Sequence, residues 1–564
     1  MQSDVAGETV AFRLLAALAA RGLGTFFANA GTDFAPLIEA HVLGRRRGVP
    51  MPRFVNVPHE QVALTMAHGA HLVDGSAQVV GVHHTVGTAN TVSAVMTAAR
   101  ERVPLLLLAG RAPATELGSI ASRDVVVHWG TDTFDQGGLL REYLRWDHEL
   151  RAGQDVESIL DRALDIAMTA PRGPVYLTLP REVLVGPAAP SRGGRPRTGA
   201  VGPRPDGDAV VQLAGWLLAA ERPVIVASSA GRDPAVPAEL AAVAELAAVP
   251  VVEHYPRAVN LPGAHPMHAG FDPTPWIAEA DLVIALDCEV PWLPRAVNPP
   301  ADARVVHIGV DPLYSRLPVR GFPTDLAIVS ETGPALAALR AALQARHHAD
   351  TPAMARRRAA ARQRHQARMA RHGPSSPPEA IDPGWLAACL RDVLDDDCIV
   401  LNEYGLKLDA MTFTGPQQFF SAGISGALGW TLPAAMGAQM AAPGKTVVAV
   451  VGDGSYLFGN PACCHYIGTA ERLPVLAIVI DNGGYAAVRR AVEVVYPDGA
   501  AVREPSLALA TFDPPPRYDG IAAACGAHAE RIEAPAALPG RLRAALDRVR
   551  SERRQALLNV VCTP

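Results

Sequence analysis

The chain has 564 residues, a formal net charge of −5 at pH 7, 19% charged residues, 49% hydrophobic residues and only 5% aromatics. That length predicts about three domains of roughly 150–200 residues each. The acidic balance excludes an electrostatic nucleic-acid binder, and the low aromatic content suits Ala- and Val-rich α/β layers.

Taken in chain order, residues 1–24 have no basic start and no cleavage-site pattern, and their apolar residues follow a helical period. No run is apolar and long enough for a membrane span. Strands are expected at TFFANAG, QVVGVHH, VPLLLLAG and GPVYLTLP within residues 1–189. A Pro/Gly/Arg stretch over 190–205 reads as a linker. In 206–345 the strands are PVIVASS, VPVVEH, DLVIALD and RVVHIGVD, and Ser228-Ser229-Ala230-Gly231-Arg232 after the first is compatible with a nucleotide phosphate without being a fingerprint. The basic, Ala-rich run 345–383 carries Arg356, Arg357, Arg358, Arg362, Arg364, Arg368 and Arg371. It reads as a solvated helical connector, with a contact to the nucleotide end of coenzyme A as the other reading. Residues 384–564 hold CIVLNEY, TVVAVVGD, LPVLAIVIDN and ALLNVVC. Strands alternating with Ala/Leu helical segments predict an α/β fold of three doubly wound parallel-sheet domains.

Seven cysteines, Cys288, Cys389, Cys398, Cys463, Cys464, Cys525 and Cys562, are scattered without paired spacing and read as reduced residues of a cytoplasmic protein. Adjacent Cys463 and Cys464 read as helix positions pointing in different directions rather than as a metal or redox pair.

The densest chemistry lies in the last domain. The β-branched run from Thr446 to Val451 stops at Gly452-Asp453-Gly454, where glycines allow a tight turn and close approach to a ligand. A helix beginning near Ser455 would offer N–H groups to a phosphate, and Asp453 would offer a hard oxygen to Mg²⁺. The next strand, Val475 to Ile480, delivers Asn482 to the same edge, and Gly483-Gly484 exposes a carbonyl.

Strand, Gly-Asp-Gly, helix, strand and the run from Asn482 to Tyr485 together resemble the thiamine diphosphate fingerprint of the pyruvate decarboxylase and acetolactate synthase superfamily. The resemblance covers essentially the whole chain, with 1–189 as pyrimidine-binding, 206–345 as middle and 384–564 as diphosphate-binding domain. It implies thiamine diphosphate and Mg²⁺ as cofactors, the metal held by Asp453, Asn482 and the Gly484 carbonyl, with Gly454, Ser455 and Tyr485 in the cofactor-binding set. Glu60 would face the aminopyrimidine, since thiamine catalysis needs a carboxylic acid there; a helix-start glutamate favoured by the dipole is the other reading. The Gly426 carbonyl would accept the cofactor amino group and Leu428 would bend the cofactor. Gly405 and Leu406 match positions along the diphosphate where relatives often carry hydroxyls, leaving only N–H groups here.

Polar candidates for the substrate chamber are Thr32, His83, His84, Gln136 and Glu493. His83 matches the register of a catalytic histidine in benzoylformate decarboxylase-like enzymes, and His84, one residue on, would face the other way on a strand. Glu493 follows the metal loop among Val492, Val494 and Val495, which predicts partial desolvation and proton exchange with a substrate hydroxyl; the other reading pairs it with Arg489 or Arg490. The whole-chain resemblance points most closely to the actinobacterial 2-hydroxyacyl-CoA lyase branch. This implies an acyl-CoA partner such as 2-hydroxyisobutyryl-CoA, reversible cleavage to formyl-CoA and a ketone or aldehyde, and a homo-oligomer, a dimer of dimers. ADP is a further candidate ligand of the middle domain. The alternative is a 2-oxo acid decarboxylase or carboligase of the benzoylformate decarboxylase or acetolactate synthase type, which His83 suits. A catalytically inert nucleotide binder is disfavoured by intact Glu60, Asp453 and Asn482.

Overall fold

A computed structural model describes residues 9–190, 195, 197–346, 350–370 and 376–563. Three parallel sheets organise the chain. The first contains β1 (Thr25–Asn29), β2 (Arg53–Asn56), β3 (Gln78–Val82), β4 (Leu105–Arg111), β5 (Trp146–Glu149) and β6 (Val175–Pro180), in the order β2-β1-β3-β4-β6-β5. The second contains β7 (Pro223–Ala227), β8 (Val251–Glu253), β9 (Leu282–Leu286), β10 (Arg304–Gly309) and β11 (Leu326–Val329), ordered β11-β10-β9-β7-β8. The third contains β12 (Cys398–Glu403), β13 (Phe419–Ser421), β14 (Thr446–Gly452), β15 (Val475–Asp481), β16 (His528–Ile532) and β17 (Ala556–Val561), ordered β13-β12-β14-β15-β17-β16. The first and third sheets thus repeat one topology, strand for strand.

All twelve strands expected from apolar runs are present. The five that were not read, β2, β5, β11, β13 and β16, are all edge strands. Three of them, β2, β5 and β16, lack the continuous Val/Ile/Leu run of a strand buried on both faces. β5 has no buried residue and β16 has one, whereas β11 and β13 are apolar but only four and three residues long, too short to stand out as strands.

The largest core cluster spans the first and third sheets. Its centre is the crossing of two helices, Glu60–Asp74 and Thr431–Ala441, where Gly69 lies against the Ala434 carbonyl and Gly437 against the Met66 carbonyl. A Cβ at either glycine would overlap backbone, so the helices meet main chain to main chain. The linker over 190–205 falls partly outside the described residues.

The basic run forms the helix Pro352–Ala370, and it is more engaged than a solvated connector. Arg357 is buried and donates to the carbonyls of Leu217, Ala220 and Ala247 at the ends of two helices. Arg356 pairs with Glu221, Arg358 with Asp350, and Arg364 lies over the Trp276 ring. Arg371 is outside the described residues. All seven cysteines are free; Cys464 is buried and Cys463 half-buried. Among the described residues, no helix is long and apolar enough to cross a membrane.

Candidate active site

Glycine and sheet topology build the metal-loop side. Asp453 follows β14 where the chain leaves the neighbouring strand β12 in the opposite direction, the crevice in which open α/β sheets hold ligands. The helix is Asp453–Phe458, starting two residues before the expected Ser455 because Asp453 itself takes the first turn. Asp453 is buried; its Oδ1 accepts the Gly454 N–H at 2.8 Å and its Oδ2 the Gly484 N–H at 2.9 Å. Burial, and then the neighbouring Asp481 carboxylate, push its carboxyl up to about 6. Gly484 has φ +148° and lies against the Ala510 carbonyl, so only glycine fits.

The Asn482 amide oxygen points at two other oxygens, 2.9 Å from the Gly484 carbonyl and 3.3 Å from Asp453 Oδ1. Turning the amide over would let its NH₂ donate to both. Whichever way the amide is turned, Asn482, the Gly484 carbonyl and Asp453 Oδ1 meet at one place, a set of hard oxygens that a divalent cation takes, and the raised Asp453 carboxyl is what a neighbouring cation relieves. The three residues therefore fit Mg²⁺. Tyr485 packs its ring against Gly454 and edge-on to Phe512 at 5.0 Å, and its N–H donates to Ala510 O at 2.7 Å.

Behind the loop, Glu403 at the end of β12 is fully buried and accepts the N–H groups of Gly429, Trp430 and Thr431 at 2.8, 2.8 and 2.9 Å. It fixes the start of the helix Thr431–Ala441 and with it the preceding loop, in which Gly426 is exposed at φ +72° and Leu428 half-buried. Gly405 turns the chain after β12, and the Leu406 N–H points at Asn402 Oδ1, 3.4 Å away, so that N–H is already partnered. Ser455 is buried beside Glu403.

The pyrimidine side comes from the first sheet. Glu60 opens the helix Glu60–Asp74 after β2; it is buried, and its Oε2 accepts from Asn90 Nδ2 at 3.0 Å. The adjacent Gln61 donates to the Leu428 carbonyl at 3.4 Å, linking the two halves within one chain. At the same sheet edge, His83 Nδ1 lies 2.5 Å from Asp33 Oδ1, and the other Asp33 oxygen is buried without a partner. Asp33 was missed by the sequence reasoning, which singled out Thr32 beside it; Thr32 Oγ1 stands 3.5 Å from His128 Nε2.

Three expectations need correction. His84 does not face away from His83, because β3 ends at Val82 and strand alternation no longer applies; the two rings lie 3.4 Å apart. His84 is buried with neither nitrogen partnered, and burial, followed by the His83 charge, pulls it down to about 4, so it is neutral at pH 7. Gln136 is not a free chamber group: it is buried, and its Nε2 donates to Gly110 O at 2.9 Å and Tyr176 Oη at 2.7 Å while Thr85 donates to its Oε1. Glu493 is not desolvated. The helix Ala486–Val495 fully buries none of its residues in the single chain; Glu493, Val494 and Val495 are exposed and Val492 is half-buried, and Glu493 forms no ion pair among the described residues.

At the middle sheet's carboxyl edge, Ser228 Oγ donates to Tyr255 O, Ser229 Oγ to Asp287 O, and Arg102 pairs with Asp287. The hydroxyls that would meet a phosphate are occupied, and ADP there is not supported.

Three family descriptions match in sequence: residues 8–139 the N-terminal TPP binding domain of thiamine pyrophosphate enzymes, 210–339 their central domain, and 405–560 their C-terminal TPP binding domain. An acetolactate synthase large subunit of Mycobacterium tuberculosis is 26% identical over 79% of this chain and 72% of its own length. A sulfoacetaldehyde acetyltransferase of Rhodobacter capsulatus is 26% identical over 90% of this chain and 86% of its own. In fold, the chain is similar to a thiamine diphosphate-dependent 4-hydroxybenzoylformate decarboxylase of Rhodococcus jostii, with TM-score 0.78, 24% identity and 98% coverage of both chains.

Proposed function

This chain belongs to the thiamine pyrophosphate enzyme family, and from that premise we propose that it is a thiamine diphosphate- and Mg²⁺-dependent 2-oxo acid decarboxylase or carboligase. The observation that carries this reading is the Asp33–His83 pair at the sheet edge that also bears Glu60. Asp453, Asn482 and the Gly484 carbonyl would hold the metal; Gly405, Leu406, Gly454, Ser455 and Tyr485 would line the diphosphate, and Gly426 and Leu428 the remainder of the cofactor. Bound thiamine diphosphate supplies the electron sink that lets the bond between a carbonyl carbon and its carboxylate break. Glu60, steadied by Asn90, holds a proton at the aminopyrimidine ring nitrogen. His83, oriented through Nδ1 by Asp33, has Nε2 free to move a proton at a substrate oxygen. Neutral His84 beside it adds no competing charge.

The test is turnover of benzoylformate and pyruvate against coenzyme A thioesters by the Mg²⁺- and cofactor-loaded protein. His83→Ala should lower CO₂ release by about 10²–10⁴ with cofactor affinity unchanged. Thioester cleavage without any 2-oxo acid turnover would overturn the reading in favour of the 2-hydroxyacyl-CoA lyase. That second reading is supported by Glu493, an unpaired carboxylate on the helix that follows the metal loop.

A homo-oligomer, a dimer of dimers, is part of the proposal. Leu117, Ile120, Val126 and Phe134 of the first domain are almost fully exposed, as are Val494, Val495 and Tyr496 to more than half, and a second copy would cover both patches. Sedimentation of a monomer at micromolar concentration would reject it.

A further inference from the structure

The loop 421–428 is gripped at one point from both other domains. Glu101 ends the helix Val92–Arg100 of the first domain and is buried with its carboxylate against the α-carbon of Gly423. From the middle domain, Arg232 Nη2 donates to Glu101 Oε2 and Arg232 Nη1 to the Glu101 carbonyl at 2.5 Å. Arg257 Nε lies 3.5 Å from Glu101 Oε1, and its Nη2 is held in turn by Glu289. The Arg257 carbonyl accepts the Ser421 N–H at 3.2 Å. One turn before Glu101, Thr97 Oγ1 and Ser425 Oγ are 2.8 Å apart.

A buried carboxylate between two guanidiniums is a poor source of net stability, because desolvating the charges offsets their attraction. What the arrangement supplies is position. Arg232 fixes one oxygen of Glu101, and the other, which makes no hydrogen bond, is pressed against Gly423 with no room for a Cβ. We infer that Glu101 is a positioning residue, which sets the height of loop 421–428 and so the grip of Gly426 and Leu428 on the cofactor. This rests on the thiamine diphosphate reading above.

The geometry specifies a paired test in the full-length protein with Mg²⁺, reading thiamine diphosphate affinity by calorimetry. Gly423→Ala puts a methyl group where the Glu101 carboxylate lies, and displacement of the loop should weaken cofactor binding by roughly tenfold or more. Adding Glu101→Asp, which withdraws the carboxylate by one methylene while keeping its charge, should restore most of that loss. The cofactor-free melting temperature should change little in the double variant. Thr97→Ala, which removes only the hydroxyl bond to Ser425, should weaken binding less and in the same direction; it keeps the inference testable if Gly423→Ala does not fold. Wild-type affinity in Gly423→Ala, a loss that Glu101→Asp leaves unrepaired, or unchanged affinity in Thr97→Ala overturns the inference. Failure of the unmodified protein to bind thiamine diphosphate with Mg²⁺ rejects the cofactor reading itself.

Discussion

Replacing Asp453 by Asn should separate the metal's contribution from the cost of the site. In the metal-free fold the carboxyl is raised from the ordinary 3.8 to about 6. A carboxyl whose folded value exceeds its unfolded value costs nothing at low pH; the penalty grows as pH rises through 3.8 and levels off above 6. The linkage relation puts it at about 1.5 kcal/mol at pH 5 and about 3 kcal/mol at pH 7. Asp453→Asn removes that penalty, but its NH₂ must face either the Gly454 or the Gly484 N–H, an unsatisfied contact costing about 1–3 kcal/mol at every pH. The two effects nearly cancel at pH 7. Relative to the unmodified chain the variant should therefore gain about 1.5 kcal/mol between pH 5 and pH 7. Hydrogen exchange at β14 and β15 in chelator measures this locally, which avoids assuming two-state unfolding for a three-domain chain. Adding Mg²⁺ and thiamine diphosphate should protect the same strands in the unmodified protein only. A variant whose relative protection is flat or falls from pH 5 to pH 7, or which keeps the Mg²⁺ response, refutes the reasoning.

Glu60→Gln should retain thiamine diphosphate yet slow exchange of the cofactor C2 proton by about 10²–10⁴, as followed by NMR; exchange at the unmodified rate rules the role out. Gly437→Ala forces a methyl group into the Met66 carbonyl; overpacking of about 1–3 kcal/mol should outweigh the roughly 1 kcal/mol gained in helix propensity, and a denaturation midpoint at or above that of the parent contradicts the crossing. His465 is buried between Tyr456 Oη and Gln555 and pulled down by burial to about 4, so it is neutral when folded and its contribution is lost as pH falls from about 6.5 towards 4. It should remove about 2 kcal/mol by pH 5, and a His465→Gln variant with equally steep acid loss would disprove this.

Much of the architecture was legible because buried parallel strands advertise themselves as apolar runs, and β14 and β15 end in glycine-flanked Asp453 and Asn482. The edge strand β5, Trp-Asp-His-Glu with no buried residue, carries no such signature. The Asp33–His83 pair joins residues fifty positions apart, a proximity created only when β1 and β3 pair. Glu403 escaped notice for a similar reason: its partners, the N–H groups of residues 429–431, belong to backbone, which leaves no trace in residue type. Glu493 differs in the opposite sense: valines beside it in sequence suggest a dry environment, but the helix Ala486–Val495 fully buries none of its residues in the single chain.

The glycine crossing between the helices Glu60–Asp74 and Thr431–Ala441 bears on motion. Side-chain interfaces can slide by exchanging rotamers, but carbonyls resting on α-carbons have no alternative packing to hop into. The first and third domains of one chain therefore meet at a contact that resists sliding. The helix Ala486–Val495, which fully buries none of its residues and is held by Arg489 donating to the Pro505 carbonyl and Thr511 Oγ1, lies outside that contact, and movement that admits a substrate is least hindered there.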